Sequence, residues 1–463
     1  MSRQAEIIFA NDERVTRHEQ LSHVVKTSKG HFTTSFLDDQ FYVIVKDVAE
    51  DKQSTEIIRM VAGDISRQLS QLKYDEANIS ESALFAQFSK IAAEDVVTAF
   101  VEGWQLGAYK FLTYKSKETL FATKLQFANE ADYATSIEKG QLRANAVSFA
   151  RDLMNETPDA LNPATFPTIL QDKFAHTDVD IKVYDEEQLK DMKMNGLLTV
   201  CRGSKHSPVF VEMTYRGDES KPLVALVGKG VTFDTGGISL KSGRDLSDMR
   251  MDMGGAAAVA GAMSLLAESK AKVNVVALLQ IVENIPDNQS VLPGEVIRYR
   301  NGHTVQVGNT DAEGRLILAD GLIRADELEA DYVFNIATLT GAVVNALGPK
   351  VAGIFGADDL TEAMKEVGAE NGDAVWPLPL VDAYDETLVS HYADFSNIST
   401  QSSAGSITAA LFLRRFVQSP EKWIHIDKAG RMDESKDDGY YGKSANGFGT
   451  RLLADFTEYI SNQ

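Results

Sequence analysis

Three stretches of the chain concentrate side chains able to do chemistry. VGKGVTFDTGGISLK, from Val227 to Lys241, sets Lys229, Asp234 and Lys241 among glycines directly after the apolar run LVALVG. Glycines permit tight turns and close backbone approach, so a phosphate-cradling loop is one reading. Neither GxxxxGK[ST] nor GxGxxG occurs here, which removes the usual nucleotide signatures. In DLSDMRMDMGGAAAVAGAMSLLAES, Asp245, Asp248 and Asp252 precede a small-residue helix expected to begin near Gly254. Acids there commonly cap a helix or complement its dipole, and ligation by Asp252 is the alternative. In NTDAEGRLILADGL, Asp311, Glu313 and Arg315 stand at every second position, a spacing that puts all three on one face of an extended strand. An exposed turn with an internal salt bridge is the other reading. The apolar helix expected over LILADGLIRADEL ties the triplet to the core and weighs against simple solvation.

Together these stretches hold four carboxylates, Asp234, Asp252, Asp311 and Glu313, while the eight histidines include no HExxH pair. A metal site built from them is oxygen-rich. Four close carboxylates cannot all stay ionised without counter-charge, and two divalent cations would supply it while templating water activation.

The elements that position these residues follow from hydrophobic patterning. EIIFA (6–10), FYVIV (41–45) and an amphipathic stretch from about Glu56 to Leu72 predict a small α/β domain over residues 1–135. A linking helix is expected over 136–156, before the turn-rich ETPDALNPATFP. Residues 157–463 form the expected catalytic domain. Its apolar runs LVALVG (223–228), VNVVALLQIV (273–282), DYVFNIATL (331–339) and WIHID (423–427) alternate with helical segments. That pattern predicts an α/β fold with a mixed, mostly parallel sheet flanked by helices. Ligands in such folds sit at the carboxyl ends of strands, where Lys229, Asp234 and Thr338 to Gly341 follow.

At 463 residues the chain exceeds the roughly 250–300 at which one core stops growing, consistent with two domains. A net charge of −21 opposes a chain-wide nucleic-acid footprint, and a solvated surface accounts for most of it. The N-terminus lacks a basic start followed by an apolar core, no apolar run reaches about 18 residues, and Cys201 is the single cysteine. A cytoplasmic protein without a membrane span is expected.

NTDAEGRL at 309–316 reproduces the signature of the leucine aminopeptidase family, also called cytosol aminopeptidases. The likeness continues through GKGVTFDTGGISLK, MRMDMGGAAA, ATLTGA (337–342) and SAGSITAALFL (403–413), so the whole second domain resembles that family; the first matches little beyond ARDLMNETP at 150–158. The resemblance implies a metal-dependent aminopeptidase that releases N-terminal residues from short peptides. It assigns Lys229, Asp234, Asp252, Asp311 and Glu313 as ligands of two zinc or manganese ions. Asp234 and Glu313 would bridge the metals, Lys229 would bind as a neutral amine, and a bridging water or hydroxide would attack. Lys241 would stay protonated and stabilise the oxyanion. Arg315 would hold a bicarbonate that shuttles the proton. The substrate amine would meet one metal and Asp252, and Met249, Thr338, Leu339 and Gly341 would receive the first side chain. A homohexamer with inward-facing catalytic domains is also implied.

Gly308 and Lys428 depart from the family pattern, and YRNGHTVQVGNTDAEGR is similar to the bacterial peptidase B branch, which favours acidic N-terminal residues. Two other functions fit the same residues: a non-catalytic, DNA-binding member of the family, or a different two-metal hydrolase such as a phosphoesterase.

Overall fold

The computed structural model describes residues 2–243 and 245–463. It divides into two compact units, Met1–Ser148 with Glu434–Ser444, and Phe149–Asp433 with Ala445–Gln463. The helix Ala134–Asn155 has residues in both. Among the described residues no helix is long and apolar enough to cross a membrane.

The first unit is built on β1 (Gln4–Phe9), β2 (Phe32–Leu37), β3 (Gln40–Val45), β4 (Glu76–Ile79) and β5 (Lys124–Phe127) in the order β2-β3-β1-β4-β5. Apolar β1 is central and parallel to β3 and β4, and β2 returns antiparallel to β3. The helices Thr55–Gln71 and Ala93–Ala108 approach so closely that a Cβ on Gly103 would lie 2.3 Å from the Arg59 carbonyl oxygen. Only glycine fits that crossing.

The second unit carries β6 (Val179–Tyr184), β7 (Val209–Arg216), β8 (Leu223–Asp234), β9 (Asn274–Asn284), β10 (Val296–Arg298), β11 (Thr304–Gln306), β12 (Tyr332–Ala337), β13 (Ala352–Gly356), β14 (Val375–Pro377), β15 (Phe395–Ser396) and β16 (Trp423–Asp427). Eight of them form one sheet, β14-β13-β16-β12-β8-β9-β7-β6, while β10, β11 and β15 make a small separate one. The main sheet is mixed and mostly parallel, with β16, β12, β8 and β9 running parallel at its centre. β8 is buried along almost its whole length, as expected where helices cover both faces. Its alternation shows which helix lies where. A Cβ on Gly228 would touch Ala256 of the helix Gly254–Glu268, whereas Val227 lies against Gly321 of the helix Glu313–Glu327. Neighbouring strand residues point to opposite faces, so these two helices sandwich the sheet.

The segment GKGVTFD, read from sequence as a loop after the strand, is the second half of β8. Pairing with β9 shifts register between Val231 and Phe233, one extra residue on β8. Lys229 and Asp234 stand five apart and would face opposite sides of a regular strand. The bulge restores them to one side, opposite Gln280 and Asn284.

Candidate active site

At the carboxyl ends of β8 and β12 a cavity of about 700 Å³ is lined by Lys229, Asp234, Lys241, Met249, Asp252, Asp311, Glu313, Thr338, Leu339 and Gly341. Of the residues to which the family resemblance assigned a role, only Arg315 lies outside this lining. Asp234, Asp252 and Glu313 are buried and offer oxygens all within 4.8 Å of one another.

Each side chain has a structural reason to be there. Asp234 ends β8, its Oδ1 accepting from the Gly236 amide and from Asn284 Nδ2, both at 2.9 Å. Asp252 follows the single turn Ser247–Met251 and does not cap the helix after it, whose N-cap is Met253 with no side-chain cap bond. Instead its Oδ1 accepts from the Thr338 hydroxyl at 2.7 Å.

The alternating triplet is not extended. The Asn309 side chain accepts from the Asp311 amide at 2.8 Å and its carbonyl from Ala312 at 3.3 Å, and this turn starts the helix at Glu313. Asp311 therefore sits in the turn while Glu313 and Arg315 belong to the first helical turn. The strand reading failed because Asn309 supplies a local hydrogen bond that helix initiation favours. Gly314 lets the helix start press on Lys229, since a Cβ there would fall 2.8 Å from Lys229 Cε.

The charges are interleaved. Lys229 Nζ lies 2.7 Å from Asp252 Oδ2 and 2.8 Å from Glu313 Oε1, and donates to the Thr338 carbonyl at 3.1 Å. Lys241 Nζ lies 2.7 Å from Asp234 Oδ2 and also pairs with Asp311. Glu313 Oε2 is buried without a hydrogen-bond partner. Burial raises the pKa of Glu313, Asp252 and Asp311 above their ordinary values, each reinforced by the neighbouring Asp234 charge and opposed by lysines. Burial pulls both lysines down, but the carboxylates around them outweigh it and their pKa values end above that of a free lysine. Four carboxylates thus face two ammonium groups in a space that penalises unbalanced charge.

Arg315 is buried, and its Nη1 donates to the Asn397 carbonyl at 2.8 Å while Nε has no partner. Burial lowers its pKa to about 10.

Several supporting residues escaped the sequence reading. Asn397 is fully buried, accepts from the Gly308 amide at 2.7 Å and donates to the Asn309 carbonyl at 2.8 Å, which fixes the turn before Glu313. Thr310 stitches that turn to the loop bearing Lys241, accepting from Ser239 N at 2.8 Å and donating to Gly236 O at 2.6 Å. Asp427 accepts from the Thr340 hydroxyl at 2.6 Å and the Leu339 amide at 3.2 Å, holding the Thr338 to Gly341 segment. Burial pushes its pKa up to about 6. A signal existed for Asp427, and for the Asn284 that holds Asp234: they are the polar last residues of the apolar strands β16 and β9, where such folds bind ligands. Lys428, noted as a departure, lies outside the cavity lining and donates to the carbonyls of Phe448 at 2.7 Å and Gly254 at 3.3 Å.

Residues 148–454 match the model of the cytosol aminopeptidase family, catalytic domain. A probable cytosol aminopeptidase of Persephonella marina is 36% identical over 424 residues, covering 90% of this chain and 84% of the relative. One from Aquifex aeolicus is 38% identical over 375 residues, covering 80% and 76%. Among solved structures, the bottromycin maturation enzyme BotP in complex with Mn is similar with a TM-score of 0.89 at 29% identity, over 99% of both chains.

Proposed function

The chain belongs to the cytosol aminopeptidase family and is an aminopeptidase, and we propose that it acts through two divalent cations, manganese or zinc, held by Lys229, Asp234, Asp252, Asp311 and Glu313. The observation that carries this reading is the convergence of three buried carboxylates within 4.8 Å, with Glu313 Oε2 unpartnered. Buried acids held in that way fit a cation better than they fit each other. BotP, the Mn-bound neighbour, supports the choice of a divalent metal. Bound here, divalent cations would lower the pKa of water and polarise the scissile carbonyl.

The protein's own groups do the rest. Asp252, oriented by Thr338, receives the free α-amine of the peptide, which restricts cleavage to the first residue. Lys241 keeps its proton between Asp234 and Asp311 and offers it to the oxygen that becomes negative as the carbonyl is attacked. Its preorganised charge is the kind of donor worth a few kcal/mol in the transition state. Lys229 would ligate only after giving up the proton that its carboxylate neighbours now stabilise. Buried Arg315, with Nε unpartnered, would hold a bicarbonate as proton carrier. Met249, Thr338, Leu339 and Gly341 receive the first side chain. A cytoplasmic homohexamer that admits short peptides completes the proposal.

Hydrolysis of Leu, Met, Lys, Asp and Glu p-nitroanilides by protein loaded with Mn²⁺ or Zn²⁺, with EDTA and N-acetylated controls, tests it. Metal-restored cleavage of free-amine substrates alone, with two metals per chain by mass spectrometry, is expected. Cleavage of acetylated substrates at equal rates, or full activity in EDTA with metal verified absent, would overturn it.

A further inference from the structure

One wall of the cavity carries an amide that the chemistry above does not use. The helix Gly341–Leu347 presents Gly341, Val344 and Asn345 to the cavity, the i, i+3, i+4 spacing of a single helix face. Thr340 caps this helix by accepting from the Val343 amide at 3.2 Å, and Asp427 fixes Thr340, so the face is held in place. Met249, Ala429 and Met432 supply apolar lining to the same cavity. A Cβ on Gly341 would meet nothing within 4 Å, which leaves open space beside the helix start. Among the described residues the Asn345 side chain has no hydrogen-bond partner.

Resting on the aminopeptidase reading, we infer that Asn345 selects the side chain of the residue being released, favouring glutamine over methionine. Four helical residues span about 6 Å along the axis, the reach of an extended glutamine or methionine side chain. The two are close in length and shape, and only glutamine can exchange hydrogen bonds with an amide, which both donates and accepts. A charged side chain would bring an unbalanced charge against the thioether and methyl surfaces of Met249, Ala429 and Met432, whereas a neutral amide brings none.

The test compares kcat/KM for Gln and Met p-nitroanilides in the metal-loaded full chain, wild type against Asn345→Leu. One hydrogen bond corresponds to a fall of roughly threefold to tenfold in the Gln/Met ratio of kcat/KM, the readout that cancels effects common to both substrates. An unchanged ratio with Met turnover retained would overturn the assignment. Should the leucine variant lose both activities, Asn345→Ala, which adds no bulk, decides by the same ratio. A wild type inactive on Gln, Met and Leu substrates would instead remove the aminopeptidase reading and this inference with it.

Discussion

Replacing Glu313 by glutamine separates catalysis from folding, because the site asks opposite things of this carboxylate in the two roles. Glu313 is 2% exposed, with Oε1 2.8 Å from Lys229 and Oε2 unpartnered. Burial and the Asp234 charge hold its pKa above the ordinary 4.5. An acid raised in the folded state keeps a proton that the unfolded chain releases, so its contribution to stability falls as pH rises from the unfolded value towards the folded one. One proton changes stability by at most about 1.4 kcal/mol per pH unit, hence up to about 2.7 kcal/mol between pH 5 and pH 7. For a unit of roughly 300 residues the unfolding entropy is about 0.6 kcal/mol/K, which converts this to about 4 °C. In metal-free protein followed by thermal unfolding, wild-type Tm should therefore fall more steeply with pH than that of Glu313→Gln, by up to that amount. With metal present, kcat/KM of the variant should drop at least about a hundredfold, beyond the tenfold to hundredfold typical of residues behind the ligands. Parallel Tm profiles would refute the electrostatic account, and near-wild-type turnover would refute the ligand assignment.

Lys241→Met removes an ammonium placed for the developing oxyanion, so kcat should fall about 10² to 10³-fold with KM changed only a few-fold; a kcat within tenfold of wild type would remove Lys241 from that role. Asp373→Ala addresses the fold alone. Its Oδ1 lies 3.0 Å from Arg451 Nη2 and its Oδ2 accepts from the amides of Gly449 at 3.0 Å and Leu452 at 3.2 Å, all buried. Losing that carboxylate takes one ion-pair partner from the buried Arg451 guanidinium and the acceptor from two buried amides, and should cost about 3 kcal/mol or more, read as a Tm lowered by roughly 5 °C or more. A shift under 2 °C would contradict it.

What the sequence made readable, and what it hid, divides along contact range. The apolar runs of β8, β9, β12 and β16 announce themselves because strands buried on both faces are continuously apolar. The extension of β8 through GKGVTFD did not, because its glycines, lysine and aspartate carry the composition of a loop. What keeps them in the ladder is the partner strand β9, and no local pattern reports a partner 50 residues away. The same holds for Asn284 on Asp234 and Asp427 on Thr340, bonds that span 50 and 87 residues. The triplet Asp311, Glu313, Arg315 was misread for the opposite reason. A two-residue period suggested a strand, whereas the deciding interaction was the local bond from Asn309.

The bulge in β8 shows how these two ranges combine into a site. Were all the residues from Lys229 to Asp234 paired regularly, with no bulge between Val231 and Phe233, Lys229 would face the helix Glu313–Glu327 and Asp234 would face the other side of the sheet. Two separate half-sites would result, one of them holding a carboxylate with neither Asn284 nor Lys241 against it. With the bulge, both residues reach the cavity that Glu313 enters from its helix and Asp252 from across β12. Bulges cost regular pairing and are found beside active sites where they re-aim a side chain. Here the re-aimed side chain is Asp234, whose charge reappears among the causes that raise the pKa of Glu313, Asp252 and Asp311. The strand irregularity is therefore what concentrates the negative charge, and that concentration is what makes the cavity a place for cations.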